Sequence, residues 1–135
     1  MEIIEWKDDL KLICHTAASF PEGIRESFDI LQQNIPNCEK RTWYGVSSLD
    51  ENGKIIYKAA VNELEENEAN IYNFESFTIT TGAYISETVK NWMSDPQEIE
   101  AAFKKLLADS RMDRSFPCIE WYKKNDVICM ARIVD

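Results

Sequence analysis

Two stretches of this chain carry the same apolar residues at the same spacing, and that repetition limits the folds open to it. Ile24, Phe28 and Leu31 recur as Ile99, Phe103 and Leu106, each 75 positions further on. Both sets fall at helical spacing. Each follows a start signal, Ser19-Phe20-Pro21-Glu22 in the first and Asp95-Pro96-Gln97-Glu98 in the second. A hydroxyl or carboxylate followed three residues later by Glu has capping-box spacing, and Pro is tolerated in a first turn. Pro36 and Asn37 stop the first helix, whose apolar face continues to Ile35. Trp43-Tyr44 recurs as Trp121-Tyr122, 78 positions on, so three residues of loop difference reconcile the two registers. A repeat of this length is a duplicated supersecondary unit.

Strand signals complete each unit. Residues 10–17 place Leu10, Leu12 and Cys14 in alternation, which suits a strand with one well-buried face. Residues 42–48 and 54–61 are aromatic and β-branched, with Asp50-Glu51-Asn52-Gly53 between them as a turn, and predict a hairpin. In the second half, residues 74–78 and 84–92 read as strands around Thr81-Gly82. Residues 118–123 and 127–134 form a second hairpin over Lys124-Asn125-Asp126. The predicted fold is therefore α+β: two tandem β-α-β-β repeats, about 8–63 and 74–135, with two helices on the outer faces of a sheet-lined cleft. Residues 64–73 are expected to be a linker, and Glu63, Glu65, Glu66 and Glu68 around its start make it read as acidic and solvated. The whole is expected to be one ligand-binding domain, 1–135.

Composition narrows the partners. The chain has 135 residues, 44% of them hydrophobic, enough for one core and two small modules sharing it. Its formal net charge of −9 repels a polyanion at long range, which disfavours direct binding of nucleic acid. The opening MEIIEWKDDL has no apolar core of a secretory signal, and no segment reaches transmembrane length, so a soluble cytoplasmic protein without a membrane partner is expected. Cys14, Cys38, Cys118 and Cys129 form no C-x-x-C pair and His15 is the single histidine; reduced cysteines, no metal and no cofactor are expected.

A seam between two β-α-β-β units is a natural place for a small-molecule pocket. Glu120 is the candidate centre, because it lies mid-strand between Ile119 and Trp121. Strand alternation puts Cys118, Glu120 and Tyr122 on one side and Ile119 and Trp121 on the other. A desolvated carboxylate among aromatic rings attracts a lipophilic cation by charge and cation–π contact. Tyr44, Tyr57, Tyr84 and Phe116 lie on or beside predicted strands and are candidate lining residues, as is Cys118.

These residues resemble the gyrase-inhibitor-like (GyrI-like) small-molecule-binding family, which includes effector-binding domains of bacterial transcription activators. The resemblance rests on the duplicated order, Tyr44-Gly45-Val46 before a hairpin that reaches Tyr57, Gly82-Ala83-Tyr84, and Pro117-x-x-Glu120-x-Tyr122 before a terminal strand. It implies a ligand cleft between the repeats with Glu120 central, Tyr122 beside it, and Tyr44 and Tyr57 from the first hairpin. Matching Trp43 to Trp121 turns Trp43 toward the core and Tyr44 toward the cleft. Many relatives carry a helix-turn-helix domain ahead of this module; this chain shows no basic helix for one, and a stand-alone binder of hydrophobic or cationic, drug-like compounds is expected. The resemblance also implies two alternatives. One is a hydrolase of reactive cyclopropane-type compounds, with Glu120 as base and Tyr122 assisting. The other is a gyrase-inhibitor-type module with a protein partner. No G-x-S-x-G, H-E-x-x-H, P-loop or Rossmann glycine pattern supports other chemistries.

Overall fold

A computed structural model describes residues 1–134; Asp135, the last residue of the expected second repeat, lies outside the described residues. In chain order the elements are β1 (Glu2–Trp6), β2 (Leu10–Thr16), α1 (Ile24–Asn34), β3 (Trp43–Leu49), β4 (Ile55–Asn62), α2 (Glu68–Ile71), β5 (Glu75–Ile79), β6 (Gly82–Val89), α3 (Gln97–Leu107), β7 (Cys118–Lys123) and β8 (Asp126–Arg132). The fold is α+β, with two β-α-β-β units, as the sequence predicts. β1 and α2 are additional to the predicted elements. No helix among the described residues is long and apolar enough to cross a membrane.

All eight strands join one antiparallel sheet in the order β1-β6-β8-β7-β3-β4-β2-β5. From the central β3–β7 pair outward, β4, β2 and β5 on one side mirror β8, β6 and β1 on the other. β1 precedes the first unit yet pairs with β6 of the second, and β5 precedes the second unit yet pairs with β2 of the first. Each unit thus gives its leading strand to the other, which ties the halves together at both ends of the sheet.

The register places both long helices on the same face. Gly45 lies opposite both Ala59 and Glu120, and Glu120 opposite Cys129, so these residues share one side. There α1 buries Leu31 and Ile35 against Ile13, Ala59 and Val61, and α3 buries Ala102 and Leu106 against Ile85, Cys129 and Ala131. The other face carries no helix. Its Leu12, Tyr44, Val46, Tyr84, Ile119 and Met130 are buried nonetheless, because the sheet curls into a half-barrel around them. Aromatic contacts line that interior: Trp6 meets Trp121 and Tyr84, and Phe116 meets Tyr84 and Phe77.

The faces also correct the repeat register. Tyr44 belongs to the half-barrel interior and Tyr122 to the helix-bearing face, so the two are not equivalent, and the 78-residue match of Trp-Tyr pairs is a coincidence of composition. The helix offset of 75 carries through instead. It pairs the buried Ser27 with Ala102 and Leu31 with Leu106, aligns Ser19-x-Pro21 with Ser94-x-Pro96, and pairs Gly45 with Glu120 in the central strands. The predicted capping boxes are absent, since neither α1 nor α3 has a side-chain cap bond. The turn before each helix supplies backbone carbonyls in their place, Ser19 and Pro21 accepting from Gly23 and Ile24, and Asp95 and Pro96 from Glu98 and Ile99.

The acidic segment is not simply solvated. Glu68, in the short α2, is buried and forms a bidentate ion pair with the buried Arg41, both bonds 2.8 Å. Arg41 also donates to the carbonyls of Pro36 and Asn62, and Glu68 Oε1 accepts from the backbone N–H of Leu64 and Glu65. The end of α1, the end of β4 and the crossover to β5 are therefore clipped at one point. The Arg41 guanidinium and these N–H donors hold the Glu68 carboxyl down to about 2 from an ordinary 4.5. A depressed carboxyl stabilises the fold above its unfolded value, so this contribution is complete above pH 4.5 and is lost as pH falls toward 2. Glu68→Gln leaves a buried guanidinium without its counter-charge and is expected to cost about 3 kcal/mol. Thermal melts at pH 7 should show a fall of about 10 °C, and the variant's melting point should depend less on acid than the parent's between pH 4.5 and 2.

Candidate functional site

Glu120 occupies the middle of β7, opposite Gly45 and Cys129, at the centre of the sheet between α1 and α3. Its Oε1 accepts two hydrogen bonds, from the Tyr57 hydroxyl at 2.6 Å and the Tyr122 hydroxyl at 2.7 Å. Tyr122 is two residues along the same strand and therefore on the same face. Tyr57 comes from β4, beyond β3, and its hydroxyl reaches the carboxylate above Gly45. Oε2 accepts no bond from any described residue, and among the described residues no buried side-chain oxygen is left without a partner. Oε2 thus keeps some contact with solvent, in line with the partial exposure of Glu120.

Aromatic rings from both units surround the pair of tyrosines. Phe28 of α1 stands edge-on to Trp43, Tyr57 and Tyr122 at centroid distances of 5.5, 6.3 and 6.1 Å. Phe20, from the turn before α1, lies against Tyr57, and Trp92, from the turn before α3, against Tyr122. Burial raises the Glu120 carboxyl above its ordinary value, and the two phenol donors offset part of that rise. Burial and the neighbouring carboxylate raise both phenols, so Tyr57 and Tyr122 stay protonated and act as donors. Cys118, lower on the same face, is pushed up to about 11 by burial and then by Glu120, which keeps it a thiol. Among the described residues no group of three or more His, Cys, Asp or Glu converges in a way that could hold a metal ion.

Of the residues singled out from sequence, the structure brings together Glu120, Tyr122, Tyr57 and Cys118. It places Tyr44, Tyr84 and Phe116 on the opposite face, in the half-barrel interior. Tyr44 lies opposite Trp121 in the ladder and shares its side, whereas Trp43 lies on the helix-bearing face beside Phe28. This reverses the expectation that Trp43 faces the core and Tyr44 the cleft. Phe20, Phe28 and Trp92 were not legible as site residues. Phe28 is one of the repeated helix-face positions, and only its place over the central strands shows that its ring also stands against both tyrosines.

No family model matches the chain, and no curated protein sequence matches it. Solved structures do. A structure of SAV2435 bound to tetraphenylphosphonium superposes with a TM-score of 0.62 at 15% identity, covering 98% of this chain and 93% of that one. An integron cassette protein from the mobile metagenome of Vibrio cholerae gives 0.67 at 13% identity, covering 98% and 95%. A putative bacterial transcription regulation protein from Staphylococcus aureus MU50 gives 0.61 at 13%, covering 99% and 97%. At these identities the likeness is one of fold, and the chain has the α+β GyrI-like fold that its sequence motifs resemble.

The tyrosine donors favour the ionised carboxylate, so removing one must raise the Glu120 titration further. A hydrogen bond to a charged group contributes about 1.5–3 kcal/mol, equivalent to roughly one to two pH units. Tyr57→Phe should therefore move the Glu120 carboxyl midpoint upward by about that amount in a ¹³C-carboxyl NMR titration, with Tyr122→Phe acting in the same direction.

Proposed function

We propose that this protein binds hydrophobic cations in the groove over Glu120, without transforming them. The reading rests on one arrangement: a carboxylate with Oε1 held by two tyrosines, Oε2 open, and Phe20, Phe28, Trp43 and Trp92 around it. Such a site offers a cation a fixed counter-charge and ring faces, the latter contributing about 0.5–2 kcal/mol each time a cation sits on one. A hydrated metal ion would gain little from the rings, and a neutral hydrophobe nothing from the carboxylate. The binding of tetraphenylphosphonium by SAV2435, a protein of the same fold, supports this choice of ligand class. The tyrosines set the geometry, since two donors on one oxygen fix the carboxylate plane without neutralising its charge.

The test is Glu120→Gln, which keeps an acceptor for both tyrosines and removes the charge. Affinity for tetraphenylphosphonium should fall at least tenfold, about 1.4 kcal/mol, while affinity for a neutral analogue of similar shape changes little. The apo protein should melt no lower than the parent at pH 7. A carboxyl with a raised folded-state titration opposes folding when ionised, and Gln relieves that opposition. Equal losses for the charged and neutral compounds would sink the counter-charge role, and recovery of chemically altered compound after incubation would replace binding with catalysis.

A further inference from the structure

We infer that Gly45 is the positioning residue of the site: its missing side chain is the space in which the Glu120 carboxylate and the Tyr57 hydroxyl meet. A Cβ built on Gly45 would overlap Tyr57 Oη and Glu120 Oε1 and come within 2.8 Å of Tyr57 Cζ. Those are the atoms of the 2.6 Å hydrogen bond. The backbone does not ask for glycine here, because Gly45 sits inside β3 and only Gly53 and Gly82 have positive φ among the glycines. A glycine within a central strand forgoes side-chain packing and weakens the ladder, and the steric reason is what remains.

Symmetry supplies the second argument. Gly45 and Glu120 are directly paired in the β3–β7 register and are also equivalent positions at the repeat offset of 75. The approximate twofold of the sheet therefore passes through this pair. Paired side chains in a ladder ordinarily lie side by side, but here the carboxylate and the Tyr57 hydroxyl meet directly over position 45, so this arrangement needs a counterpart with no side chain. With any Cβ at position 45, either the carboxylate swings toward solvent or Tyr57 leaves Oε1. Both outcomes undo the arrangement that fixes the carboxylate.

This inference rests on Glu120 as counter-charge, and the experiment separates the two. Gly45→Ala is prepared in the full chain and in a Glu120→Ala background, and Glu120 is titrated by ¹³C-carboxyl NMR without ligand. The variant is expected to fold with a lowered melting point, to move the Glu120 midpoint, down toward the ordinary 4.5 where the carboxylate swings to solvent and further up where Tyr57 leaves Oε1, and to bind tetraphenylphosphonium at least tenfold more weakly. In the Glu120→Ala background the melting-point loss from Gly45→Ala should be at most half as large, because one of the colliding groups is gone and Tyr57 is free to tilt. An unchanged Glu120 titration, or equal melting-point losses in both backgrounds, overturns the assignment. If Gly45→Ala alone does not fold, rescue by Glu120→Ala supports it and failure of rescue overturns it. Should Glu120→Gln bind the cation as tightly as the parent while Gly45→Ala still shifts the titration, the positioning role stands and the counter-charge reading falls.

Discussion

The antiparallel pairing of β3 with β7 is the contact on which the rest of this structure depends. It joins the first strands of two hairpins that are distant in sequence and makes one sheet of two units. It also decides what the centre of the helix-bearing face contains. Because Gly45 meets Glu120 and Ser47 meets Cys118 in the ladder, a carboxylate and the Tyr57 hydroxyl fill the space over a glycine there. α1 and α3, each packed on its own unit, stand on either side of that line. A shift of the pairing by one residue would send Glu120 into the half-barrel interior among Tyr44 and Val46 and turn Ile119 out of it. The exchange of β1 and β5 between units resists such a shift, since each end strand is registered against the other unit.

Two carboxylates, Glu68 buried and Glu120 partly so, show how the same fold produces opposite electrostatic outcomes. Glu68 meets a guanidinium and two backbone donors and is held down to about 2, so its charge is part of what closes the crossover onto the first unit. Glu120 meets only neutral phenols, and burial raises it. A charge kept where the fold does not neutralise it is unfavourable for stability, and such positions tend to be functional. The remaining core, with Leu12, Ile13, Leu31, Ile85, Leu106 and Ile119 fully buried, offsets that cost.

The local parts of this fold were legible in the sequence. Helix faces, hairpin turns and the mid-strand Glu120 follow from periodicity and turn residues, which act over a few positions. What was not legible depends on contacts across the chain. The direction of Tyr44 follows from β3 pairing with β7, 77 positions away, and no pattern within residues 43–49 distinguishes a Trp on the helix-bearing face from a Tyr on it. Glu68 reads as solvated among its acidic neighbours because its partner, Arg41, is 27 residues earlier. β1 is short, with alternate residues only half-buried, and its role comes from the edge of β6 that it covers.

The duplication is symmetric in scaffold and asymmetric in chemistry, and the asymmetry leaves a single carboxylate at the centre of the sheet. At the offset of 75 Phe28 pairs with Phe103 and Leu31 with Leu106, preserving the helix faces, whereas Gly45 pairs with Glu120 and Ser47 with Tyr122. Had both central positions kept a carboxylate, two like charges would face one another across a ladder rung, where side chains lie within about 5.5 Å. One of them would then be forced to hold its proton. One carboxylate on the axis avoids that conflict. The packing requirement of the duplicated sheet is thus met by one pair of residues, with glycine in one copy and glutamate in the other, and that same pair supplies the lone carboxylate on which the proposed binding of a cation rests.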